Sequence, residues 1–152
     1  MKLKFNKWLF SVIAIIFGFS GTVAAQYGVV ENHYLIKGNV MSEKCNNAIP
    51  KIKITLRATN AKSEKEDLEV YTDEKGNFSI DNMYFRSDQD YFLIAQDTDG
   101  QANKGDFQSS RQLITLNEKD FAKTAYENWD QYYENKTTYY FGLKLKKDQP
   151  CE

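Results

Sequence analysis

From Tyr34 to Lys146 most apolar residues recur at every second position, the period of a half-buried strand and not of a helix. Tyr34, Ile36, Gly38 and Val40 share one face of a first strand, with Leu35, Lys37 and Asn39 on the other. Residues 51–58 repeat the pattern: Ile52, Ile54, Leu56 and Ala58 alternate with Lys51, Lys53, Thr55 and Arg57. Pro50 stands just ahead, where its missing N–H costs no ladder bond. Residues 70–80, VYTDEKGNFSI, set two β-forming runs around DEKG. Asp73 suits the start of a type I turn, and Gly76 can take positive φ without a Cβ penalty, so a tight β-hairpin is predicted. Its strands cover 68–73 and 77–80. Residues 91–95 are apolar on both faces and predict a strand inside a sheet. A short strand follows at 112–116. In 137–146, Tyr139, Phe141, Leu143 and Leu145 share one side, with Lys144 and Lys146 on the other.

One stretch breaks the alternation. Behind Asn117 as a cap, Phe121, Ala125, Trp129 and Tyr133 recur every four residues, a helical spacing over 118–133. Asn128, Asp130 and the density of aromatics limit it to a short helical turn near 118–130. Seven strands at short spacing then predict an all-β fold: a seven-stranded, immunoglobulin-like (prealbumin-like) antiparallel β-sandwich. First and last strands of such sandwiches often run side by side and parallel. That would bring Cys45, past the end of the first, to Cys151, past the end of the last.

The N-terminus changes the picture of where this happens. Lys2, Lys4 and Lys7 precede an apolar run from Trp8 to Phe19, and Val23-Ala24-Ala25 puts small residues before a cut ahead of Gln26. Residues 1–25 therefore read as a secretory signal peptide. Its apolar run falls short of the roughly 20 residues that span a bilayer, so no stable membrane insertion is expected after cleavage. Residues 26–152 suit a single β-sandwich domain, exported to the periplasm or cell surface. An even cysteine count in an exported chain favours a Cys45–Cys151 disulfide, two free thiols being the alternative. With 20 Lys+Arg against 21 Asp+Glu, there is no electrostatic footprint for nucleic acid.

GNV at 38–40, AIPKIKITL at 48–56 and VYTDEKGNFSI at 70–80 together resemble the carboxypeptidase regulatory-like, or transthyretin-like, β-sandwich. Gly38, Val40, Pro50, Ile52, Ile54, Thr72, Asp73, Gly76 and Phe78 occupy the matching positions. Tyr27-Gly28, the DTDG of 97–100, the following NKGDF and the closing GLKLKK are similar to the radical-SAM-associated lipoprotein family. Members of that family carry a lipidated cysteine before the Tyr-Gly pair, where this chain has Ala25-Gln26. The resemblance implies a sandwich fold and an association with a modifying enzyme, and no activity of the sandwich itself.

Candidate chemistry is thin. His33, the one histidine, borders the first strand and reads as a surface or edge residue. No zinc-protease motif, G-x-S-x-G elbow or phosphate-cradling glycine loop occurs, so no catalytic residue, cofactor or transition-metal site is expected, and the chain is read as a non-enzyme. Asp97, Asp99, Asn103 and Asp106 are weak calcium candidates: D-x-D-G is the centre of an EF-hand loop, but aligned on Gly100 the first ligand falls on Ala95 and the last on Asp106. The same residues could hold a turn. Tyr126, Trp129, Tyr132 and Tyr133, with Tyr139 and Tyr140, are candidate glycan-facing aromatics or, in the other reading, one end of the core. Asn135-Lys136-Thr137 fits a glycosylation sequon. The expected function is a non-catalytic envelope module, binding or structural, that contacts a protein partner. Glycan binding, or modification by an associated enzyme, is the alternative.

Overall fold

The computed structural model describes residues 32–82, 86–102, 105–127, 130–147 and 150–151, with the backbone alone at 65 and 125–127. The leader at 1–25, Tyr27-Gly28, Asn103 and Trp129 lie outside the described residues. Among the described residues there are nine strands where seven were expected: β1 (Asn32–Ser42), β2 (Lys53–Ala58), β3 (Leu68–Tyr71), β4 (Asn77–Asn82), β5 (Gln89–Gln96), β6 (Ser110–Leu116), β7 (Phe121–Glu127), β8 (Asp130–Asn135) and β9 (Tyr139–Leu143). They form two sheets, one ordered β4-β1-β8-β7 with β9 also on β1, the other β3-β2-β5-β6. The all-β sandwich is the architecture the alternation predicts. No described helix is long and apolar enough to cross a membrane.

β1 is the spine of the five-stranded sheet. One edge pairs antiparallel with β4, from Tyr34–Asn82 to Asn39–Asn77. The other edge is shared: β8 runs parallel along Asn32–Leu35, and β9 runs parallel along Gly38–Ser42. β8 and β9 thus follow one another along β1, with residues 136–138 displaced between them. The break falls opposite Lys37, and a side chain fills it. Asn135 Oδ1 accepts the Lys37 N–H at 2.7 Å, and its Nδ2 donates to the Lys37 carbonyl at 2.9 Å and the Thr137 carbonyl at 2.7 Å. The carboxamide takes the place of a peptide unit in the ladder, so no backbone group of Lys37 is left without a partner there.

The family-like motifs turn out to be one piece of packing. Gly38 and Phe78 are direct cross-strand partners. A Cβ built on Gly38 would lie 2.2 Å from the Phe78 ring and 2.5 Å from the Tyr139 carbonyl. Glycine is required so that the aromatic ring can cover the strand. DEKG forms its turn: the Gly76 N–H donates to the Asp73 carbonyl, the Lys75 and Asn77 amides donate to Asp73 Oδ1, and Gly76 has φ +73°. The predicted hairpin needs correction, however. β3 belongs to one sheet and β4 to the other, so the turn is a corner between sheets. Thr72 explains the departure: buried, it accepts the Ile52 N–H at 2.9 Å and donates to the Ile49 carbonyl at 2.8 Å, which anchors the corner to the segment on either side of Pro50.

Ile36, Val40, Ile54, Leu56, Ile80, Leu93, Leu116, Phe141 and Leu143 are among the core residues. Each fully buried aliphatic side chain is worth about 1.5–3 kcal/mol. The short helical turn expected near 118–130 is a 3₁₀ turn, Glu118–Asp120, and the four-residue recurrence beyond it is carried by the β7–β8 pair instead of a longer helix. Packing decides this. As strands, Phe121 and Tyr133 both reach Tyr34, edge-on at 5.1 Å and stacked at 5.1 Å. Aromatic residues are also better suited to a pleated sheet than to a helix.

Candidate functional site

Asp97 is wholly engaged in local structure. Its Oδ1 accepts the Asp99 and Gly100 amides at 3.1 Å, and its Oδ2 accepts the Phe107 amide at 2.8 Å. Asp99 is exposed, and Asp106 is tied to Lys146 Nζ at 2.7 Å. That bond pushes the Lys146 ammonium above its ordinary value. The three carboxylates do not converge, and among the described residues no group of three or more His, Cys, Asp or Glu side chains is placed to hold a metal ion. DTDG is a turn whose acid holds the chain as it leaves β5. Cys45 and Cys151 are joined in a disulfide with Cα atoms 5.4 Å apart, and β1 and β9 run parallel as that pairing requires.

The C-terminal aromatics do not make one platform. Alternation along β8 sends Tyr133 inward onto Tyr34 and Tyr132 outward, where it stacks on His33 at 4.5 Å. Tyr126 stands in β7 opposite Gln131. The reading of His33 as a surface residue is corrected. It is only 8% exposed, because Tyr132 covers its ring and two carboxylates close around it. Nδ1 lies 2.7 Å from Asp81 Oδ2, and Nε2 lies 3.9 Å from Asp130 Oδ2. The cluster ties β1 to β4 and β8 on the outer face of the sheet. Sequence reasoning missed it because Asp81 and Asp130 are far from His33 in the chain. Asn135, the sequon residue, spends its carboxamide inside the ladder.

The outer face of the four-stranded sheet is the other feature the sequence did not show directly. Across the register, Glu69, Thr55, Ile94 and Arg111 form one row, and Arg57, Phe92 and Leu113 form the next. Leu113 is 61% exposed, and Tyr71, in the row on the other side of Thr55 and on the opposite edge strand, is 58% exposed. The charged groups around them are mostly paired with one another. Arg57 grips Asp67 through Nε at 2.9 Å and Nη2 at 2.5 Å, a fork that raises the guanidinium pKa further. Lys53 meets Glu69 at 3.1 Å, and Arg111 lies over the Phe92 ring at 5.2 Å. This face thus combines exposed apolar area with charges that are mostly matched within the chain. The signal was present in 91–95, where Phe92 and Ile94 are apolar out of phase with the core. A cavity of about 620 Å³ also opens at one end, between Leu56, Leu68, Tyr91, Asn82 and Arg86.

No protein-family model and no curated protein matches this sequence. A solved structure does match the fold: 3-chlorocatechol 1,2-dioxygenase from Rhodococcus opacus 1CP, with TM-score 0.50 and 9% identity over 79% of this chain. The match spans 62% of the dioxygenase chain, so the chain covers less than two thirds of that protein. At this identity the likeness shows the β-sandwich and carries no activity across. The expectation of a non-enzyme is corrected at the level of the fold: the sandwich that superposes belongs to an enzyme, so this architecture does not exclude catalysis.

Proposed function

We propose that this chain is an exported β-sandwich of the carboxypeptidase regulatory-like type that binds a protein partner in the cell envelope through the outer face of β3-β2-β5-β6. One observation carries the reading: Leu113 stands exposed beside Phe92, and Tyr71 stands exposed at the other edge of the same face, whose charges are mostly paired with one another. Apolar area ringed by matched charge is the anatomy of a protein interface, where burying rings and branched chains supplies the energy and the rim costs little desolvation. Export has support from the leader-like residues 1–25 and from the Cys45–Cys151 disulfide, a bond that persists outside the reducing cytosol. The coupled Gly38–Phe78 pair and the Asp73–Gly76 turn support the family resemblance. A glycan platform draws less support, because Tyr132 and Tyr133 face opposite ways.

The test is site-specific photo-crosslinking in the native envelope. A photoreactive residue at Tyr71 or Phe92 is expected to give an adduct with another envelope protein, and one at Glu74, on the exposed corner turn, is expected to give none. Equal yields from all three positions, or no adduct from any, would refute the assignment of this face.

A further inference from the structure

The four-stranded sheet ends in β6, and this edge differs from those of β3, β4 and β7. β3 is four residues long, β7 carries Lys123 beside a register shift, and β4 presents Asn77, Ser79 and Asp81 on its outward face. Short length, lysine, irregularity and polar side chains are the usual protections of an exposed edge. β6, SRQLITL, places Arg111 and Thr115 on its outward face, but it is neither short nor irregular and carries no lysine, and Leu113 stands exposed between the two polar residues. Seven consecutive residues pair with β5 in unbroken register, from Ala95–Ser110 to Gln89–Leu116, and among the described residues no strand pairs with its other edge. Such a strand is a template for another.

We propose that β6 pairs antiparallel with β6 of a second copy of this chain, about a two-fold axis at Leu113, making one continuous eight-stranded sheet. The pattern is self-complementary about that residue. Centred there, Leu113 meets Leu113, and two side chains that are each 61% exposed cover one another. Arg111 of one copy falls opposite Thr115 of the other, and Thr115 is the register partner of Asp90. The guanidinium of one copy therefore approaches an acid of the next, twice per dimer. Asp90 accepts the Thr115 hydroxyl through Oδ1, which leaves Oδ2 for the arginine. An arbitrary peptide would not supply this match. The axis keeps the same face outward in both copies, so the apolar surface around Phe92 and Ile94 becomes continuous across the dimer.

The pairing is tested by register, with cysteine cross-linking of the full chain under mild oxidation. Directly opposed residues of an antiparallel pair have Cα atoms about 4.5–5.5 Å apart, within disulfide range. Leu113→Cys is expected to form a covalent dimer. Arg111→Cys and Thr115→Cys are each expected to form no disulfide-linked dimer alone and to cross-link when mixed. Sedimentation equilibrium supplies the second arm. Arg111→Asp should weaken the wild-type dimer by about tenfold or more, and adding Asp90→Arg should restore it. A wild-type chain that stays monomeric at every concentration reached, a Thr115→Cys protein that forms a disulfide-linked dimer by itself, or a double variant no better than Arg111→Asp would each overturn the proposal. Photo-adducts with a different protein at Tyr71 alongside a monomeric chain would sink the dimer and leave the functional reading standing.

Discussion

Replacing Asn135 with alanine tests whether a side chain can stand in for a strand. The substitution removes three hydrogen bonds of 2.7, 2.9 and 2.7 Å and leaves the Lys37 N–H and C=O facing a gap between β8 and β9. A neutral hydrogen bond contributes about 1 kcal/mol net, and a half-buried group that recovers water only in part costs somewhat more, so the loss should be about 2–3 kcal/mol. Asn135→Asp should cost at least as much, because an oxygen would replace the donor that now faces the Lys37 and Thr137 carbonyls. The assay is urea unfolding of the disulfide-intact protein, where the midpoint should fall with the slope unchanged. Amide exchange provides a local reading: the Lys37 N–H should exchange much faster in Asn135→Ala than in the parent. Asn39→Ala is the control, an exposed amide that bonds the Lys75 carbonyl and Asn77 at the surface, and it should change stability by under about 0.5 kcal/mol. If Asn135→Ala behaves like that control and the Lys37 amide stays protected, the carboxamide is not what closes the ladder.

Three further predictions rest on separate features. Cys45→Ser with Cys151→Ser frees a loop with ends 106 residues apart, and the chain-entropy estimate is a loss of about 4–5 kcal/mol in urea unfolding; a loss under about 1 kcal/mol would show that the reduced chain is already constrained. Gly38→Ala should cost about 3 kcal/mol, and pairing it with Phe78→Leu should recover only part, since the Tyr139 carbonyl at 2.5 Å still obstructs the Cβ; full recovery in a double-mutant cycle would place the whole conflict in the ring. The Asp73 carboxyl is held below its usual range, chiefly by the Asn77 N–H and also by the Lys75 N–H. A depressed carboxylate stabilises the fold above the ordinary Asp value near 4 and loses that effect as pH falls through the lowered folded value, so the advantage over Asp73→Asn should be present at neutral pH and vanish in acid. Equal urea midpoint differences at pH 7 and pH 2.5 would contradict this.

The sandwich was legible because its strands keep a period of two wherever one face is buried, as in Ile52, Ile54 and Leu56. The Asp73–Gly76 turn was legible for the same local reason. Local reading fails where distant chain segments decide. Nothing in VYTDEKGNFSI says that its two halves join different sheets; Thr72 makes that choice through bonds to Ile49 and Ile52. The four-residue recurrence in 118–133 was real, but Tyr34 recruited Phe121 and Tyr133 into a sheet. His33 looked peripheral because its partners, Asp81 and Asp130, arrive from β4 and β8. The outer apolar face was half visible, since Phe92 and Ile94 broke phase while Leu113 and Tyr71 acquire meaning only from the register.

The Cys45–Cys151 bond also sets how the molecule answers a pull. Tension applied between Asn32 and Cys151 passes along β1 and through the sulfurs, and the 106-residue span between the cysteines carries none of it. Roughly 350 Å of contour is thereby withheld from extension. Load falls on the shearing of β1 against its parallel neighbours β8 and β9, where the ladder bonds must give way together. A chain held at both ends would yield by a few residues and stop, and reduction of one bond would turn that stiff link into a long tether.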